Sequence, residues 1–140
     1  MAKLVSFMMS AISQNVPNAT GGTVQQLTGP MIVLRPRHIP SEYSFAITIG
    51  INDFDLSKEN ILRIVLYSPS NDILLDTGNS TLPASPTDSN LPKEFQGAVL
   101  SMPIQNIEIA TDGVYKLEVF MNNDSLGTQA IPVFRLGTTK

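Results

Sequence analysis

The sequence predicts an all-β fold: a single antiparallel β-sandwich of about seven or eight strands over residues 1–140. Three observations carry this. Charged residues make up only 15% of the chain, against about 25% in ordinary globular proteins. Ser, Thr, Asn and Gln fill the polar positions instead, and such residues suit strand faces and turns, whereas exposed helix faces are usually built from Glu and Lys. Ten prolines and nine glycines are spread along the chain, and neither residue suits a helix interior. Short apolar runs of period two alternate with turn-forming clusters, the pattern of a sandwich or barrel.

The elements follow in order. Leu4–Ser13 reads as a strand with Val5, Phe7, Met9 and Ala11 on one face. Met8 and Met9 then point to opposite faces, and methionine suits adaptable binding surfaces. The start of the chain could be confused with a signal peptide, but only Lys3 precedes the apolar run, which is short and interrupted by Ser6 and Ser10. Residues 15–22 (NVPNATGG) are turn chemistry throughout. Thr23–Leu34 is a second extended run, broken at Gly29-Pro30, and Arg35–Ser41 is a proline-held connector. Tyr43–Ile51 alternates, with Tyr43, Phe45, Ile47 and Ile49 on one side. Asn52–Asn60 is a polar loop in which Asp55 or Ser57 could cap a helical turn. Ile61–Tyr67 reads as a central strand, Ser68–Asp72 as a turn and Ile73–Leu75 as the returning strand. Thr77–Lys93 reads as a long irregular connection. Phe95–Met102 is extended, Pro103 is expected to break it, and Ile104–Ile109 continues extended. Val114–Met121 is the cleanest strand, with Tyr115, Leu117, Val119 and Met121 inward. Leu126–Leu136 closes the fold, at an edge because Pro132 cannot donate to a ladder.

Composition excludes several functions. The net charge is −3 and the basic residues are scattered, so no stripe is available to neutralise nucleic-acid phosphates. Cysteine is absent, which removes disulfides, thiolate metal sites and cysteine nucleophiles and fits a reducing cytoplasm. No apolar run reaches the length needed to span a membrane as a helix, so membrane insertion is not expected.

A further pattern lies in the later part of the chain. Ile39-Pro40-Ser41-Glu42-Tyr43-Ser44-Phe45 leads a strand, Leu62–Tyr67 ends in Ser68-Pro69-Ser70-Asn71, and Gly113-Val114-Tyr115-Lys116-Leu117-Glu118-Val119 is followed by Leu126-Gly127 and Ile131-Pro132-Val133. Over about its last hundred residues the chain resembles a family of small, uncharacterised bacterial proteins with an immunoglobulin-like β-sandwich. The resemblance implies that fold and a bacterial or phage-borne origin. It implies no activity and transfers no functional residues.

The candidate sites are few. His38 is the single histidine; it sits in the proline-rich connector, where a catalytic triad has no rigid frame, so no enzyme is expected. Asn52, Asp53, Asp55 and Glu59 gather oxygen donors of the kind calcium takes. The EF-hand spacing is not met, so a solvated, self-capping loop with Phe54 plugging the end of the sandwich is the expected reading; Asp53, Asp55 and Glu59 are the ligands if a metal is held at all. Arg35, Arg37 and His38 form the one local basic cluster, able to grip an anion or a partner's carboxylate, although alternating polar side chains on an extended connector ordinarily face solvent. Glycan platforms need exposed aromatics, but tryptophan is absent and the three tyrosines occupy core-like positions. The expected function is therefore a non-enzymatic, cofactor-free protein–protein interaction module with an unidentified protein partner, self-association through an edge strand being a further option. The alternatives are a structural subunit of a surface or virion assembly, or a calcium- or glycan-binding sandwich.

Overall fold

The structure, a computed structural model, describes residues 2–17, 19, 23–55, 57–82, 84, 92 and 95–135. Among these residues there is no α-helix. Nine strands form two antiparallel sheets: β1 Lys3–Pro17, β2 Thr23–Met31, β3 Ser41–Asn52, β4 Asn60–Tyr67, β5 Ile73–Asp76, β6 Ser80–Leu82, β7 Gly97–Ile109, β8 Gly113–Met121 and β9 Asp124–Val133. One sheet runs β2-β1-β3-β7 and the other β5-β4-β8-β9, with β6 also pairing with β4.

The core follows from the alternation. Phe45, Ile47, Ile49 and Ile51 of β3 face Leu62, Ile64 and Leu66 of β4 and Tyr115, Leu117, Val119 and Met121 of β8, all buried in one cluster with Met9, Ile104, Ile131 and Val133. Each such side chain contributes about 1.5–3 kcal/mol by leaving water. Phe54 is buried in the same cluster, at the end of the sandwich where its loop lies. Tyr115 is 2% exposed, and its hydroxyl donates to the Thr111 carbonyl at 2.7 Å, so the one polar atom of a buried ring has a partner.

Several expectations are corrected. The described residues form nine strands rather than seven or eight, because β6 forms inside the stretch read as irregular; most of the remainder of that stretch, from residue 83 to 94, lies outside the described residues. Pro103 does not break β7. It sits on an edge strand, opposite Ala46, where one face of the backbone needs no donor. Asp55 accepts hydrogen bonds from the Ser57 amide and hydroxyl, the capping role expected of it, and none of the loop's described residues is helical. In β1 the face assignment changes midway. Leu4 pairs with Ile51 but Ser6 with Gly50, so Val5 is the extra residue of a bulge and is exposed, while Phe7 and Met9 face the core. Ala11, expected on the same face, is exposed. β9 lies at the end of its sheet, as Pro132 predicts; the Pro132 carbonyl accepts from the Leu34 amide at 2.9 Å, and Leu34 makes a parallel bridge to Val133.

Candidate functional site

The structure does not bring the three loop acids into one group. The Asp53 amide donates to the Gln96 carbonyl at 2.8 Å and Asp55 is engaged by Ser57. Both line a cavity of about 280 Å³ that also holds Lys58 and Asp124, whereas Glu59 is exposed and does not line it. Asn60 donates to the Asp55 and Lys58 carbonyls and accepts from Asn122 at 3.0 Å, so amides knit this end of the sandwich together. Among the described residues no group of three or more His, Asp or Glu is placed to hold a metal ion.

The basic cluster stays on the surface. Arg35, Arg37 and His38 are exposed around the buried Pro36, so the connector turns its proline inward and its cations outward. On the outer face of the second sheet, Arg63 forms a two-pronged ion pair with Asp76 at 2.6 and 3.0 Å and lies 5.3 Å from the centroid of the Phe120 ring. The Arg63 guanidinium, assisted by the Gly78 amide, holds the Asp76 carboxyl down at about 2. Tyr67 donates to Glu118 at 2.9 Å, and that carboxylate pushes the phenol's pKa up. These polar groups satisfy one another across neighbouring strands, as a solvated sheet face requires.

A different region stands out, and its signal is in the sequence. From Leu4 to Leu34 there is no Asp, Glu, Lys, Arg or His; apart from Lys3, all nine basic and twelve acidic residues lie from Arg35 onward. The uncharged segment is nearly all of β1 and β2, and it carries Val5, Met8, Ile12, Val24 and Ile32, half of the ten exposed large apolar side chains among the described residues. Reading the chain strand by strand misses this, because each strand taken alone has an ordinary composition.

Its geometry is that of an arm. β1 pairs with β3 only as far as Ser10–Ala46 but with β2 as far as Pro17–Thr23. The distal half of the hairpin, Ile12–Pro17 with Thr23–Thr28, therefore leaves β3. It is tethered to the outer face of the first sheet by hydroxyls. Ser101 Oγ lies 2.6 Å from Ser13 Oγ and 2.8 Å from Thr48 Oγ1, and Gln25 donates to Ser13 at 2.7 Å. Between arm and sheet lies a cleft of about 370 Å³, lined by Ser13, Gln14, Asn15, Gln25, Ser44 and Gln105 among others. The small side chains Ser10 and Ala46 are buried at the root of the arm.

The sheet edges differ in how they are blocked. Natural edges are protected by charge, proline, bulges or brevity. β7 has Pro103 at its middle, a register shift and Asn106 at positive φ. β9 has Gly127 at positive φ, a register shift, Pro132 and the Leu34 bridge. β5 is four residues long and ends in Asp76. β2 is interrupted only near its end, by Gly29 at positive φ and Pro30. Its stretch Thr23–Thr28 has none of these devices, and among the described residues it pairs with β1 alone.

Comparison with known proteins returns no matching family model and no matching curated protein. No helix among the described residues is long and apolar enough to cross a membrane.

Proposed function

We propose that this domain is a non-catalytic interaction module, and that its partner adds a strand to the open edge of β2. One observation carries the reading: among the described residues Thr23–Thr28 is an edge stretch at the end of a sheet without charge, proline or bulge, on an arm that also exposes apolar side chains. Strand addition draws affinity from main-chain hydrogen bonds and specificity from alternate side chains, and neither needs a catalytic group.

An immunoglobulin-like arrangement is part of the proposal. It is supported by the two-sheet order in which β1, β3 and β7 oppose β4, β8 and β9. The Tyr115 hydroxyl, bonded to a carbonyl four residues upstream at the entry to β8, matches the corner tyrosine of such sandwiches. We attribute to the protein a bacterial or phage origin on the family resemblance, and a cytoplasmic location on its lack of cysteine.

The test is co-purification from native lysate with wild type and with Gln26→Lys/Thr28→Lys, which places on the edge the charges that natural edges use for protection. A protein retained by wild type and lost from a variant of equal melting temperature supports the reading. Equal capture by both refutes it, as does capture by neither from a chain that also stays monomeric.

A further inference from the structure

We infer that the strand added to β2 is β2 of a second copy of this chain, related by a twofold axis through the edge. The inference rests on the interaction reading above and names its partner.

Charge selects a different partner by complementarity and speeds its approach. The segment from Leu4 to Leu34 has no charge with which to do either. A twofold contact sets other terms. Each edge must fit its own image, so a charge near the axis meets a like charge. The chain as a whole is acidic, at −3, yet the edge that would meet its image is neutral. At the middle of that edge stand Gln25, whose amide nitrogen also donates to Ser13, and Gln26, both exposed. Amides are self-complementary, since each carries a donor and an acceptor. Antiparallel pairing about a perpendicular twofold sets a residue opposite its own copy, so a central glutamine faces a glutamine. The product is one continuous sheet running β7-β3-β1-β2-β2-β1-β3-β7, built from two of the four-stranded sheets. Pairing stops where Gly29 and Pro30 interrupt the edge, which fixes its length and prevents a longer, slipping register.

The experiment is sedimentation velocity on the wild-type chain and on two variants, Gln25→Lys/Gln26→Lys and Gln25→Glu/Gln26→Glu. Concentrations run from roughly 1 µM to 1 mM, a span that brackets moderate affinities. Wild type is expected to move from monomer to dimer over the range. Each variant alone is expected to stay monomeric, with at least a tenfold loss of affinity. An equimolar mixture of the two is expected to dimerise again, because opposite charges then face each other. A wild type monomeric throughout overturns self-pairing while leaving partner capture to the co-purification test. A dimer that survives in both variants overturns the β2 edge as its site. The wild-type series does not depend on how the variants fold.

Discussion

Replacing Tyr115 by Phe removes one oxygen and leaves the packing in place, which makes it a sharp test of how the turn into β8 is held. The ring is 2% exposed, and its hydroxyl makes a 2.7 Å bond to the Thr111 carbonyl. A net intramolecular hydrogen bond is worth about 0.5–1.5 kcal/mol. The larger cost of a stranded acceptor does not apply, because Thr111 is exposed and its carbonyl can take a water. Tyr115→Phe is therefore expected to cost about 1 kcal/mol, a fall in Tm of roughly 3–5 °C for a domain of this size. Tyr115→Ala also removes the ring from the core and is expected to cost about 3–5 kcal/mol. Thermal and urea unfolding of the three proteins measure both steps. A Tm for Tyr115→Phe within half a degree of wild type would show that the hydroxyl bond contributes nothing in solution. Equal losses for Phe and Ala would show that the ring is not the packing element described.

Three other outcomes follow from the same structure. Asp76→Asn flattens the acid limb of the stability curve: the folded-state pKa of Asp76 lies at about 2, below its ordinary 3.8, so its contribution is full above about pH 4 and is lost as pH falls through 2; equal slopes for wild type and variant in urea titrations across that window contradict the ion pair. Gly113→Ala destabilises by about 1–3 kcal/mol, because Gly113 sits at φ 145° and an added Cβ would lie 2.8 Å from Pro69 Cγ; an unchanged Tm refutes the close approach. Ser101→Ala cuts the tether to Ser13 and Thr48, so amide exchange in Ile12–Val16 is expected to quicken about tenfold, the equivalent of one hydrogen bond of about 1 kcal/mol, with little change in Tm, and unchanged exchange means the arm is held by something else.

Much of the fold is legible in the sequence where burial imposes period two. In β3, β4 and β8 one face must leave water, so the alternation of Ile, Leu and Val fixes both strand and facing. The misses are places where one residue changes phase or an edge relaxes a rule. The bulge at Val5 shifts the register without a glycine or proline beside it in β1 to announce it. Pro103 reads as a stop because proline cannot donate, and only the tertiary position of β7 at an edge makes it harmless. β6 is three residues of Ser, Thr and Leu, too short to carry a period. The loop acids Asp53, Asp55 and Glu59 are legible as a polar loop, but their side-chain directions depend on the turn at Asp53, whose φ is 64°. The proposed interaction edge is written in the sequence as an absence of charge from Leu4 to Leu34, yet that absence acquires meaning only when Thr23–Thr28 of β2 proves to lie at a sheet edge.

Hydrogen exchange of the wild-type chain at roughly 1 µM and 1 mM tests the central claim most directly, since pairing protects the outward amides of an edge. The account predicts added protection at the higher concentration within Thr23–Thr28, at alternate residues, with β5, β7 and β9 unchanged. Protection appearing instead on β7 or β9, or no change in Thr23–Thr28, would contradict it.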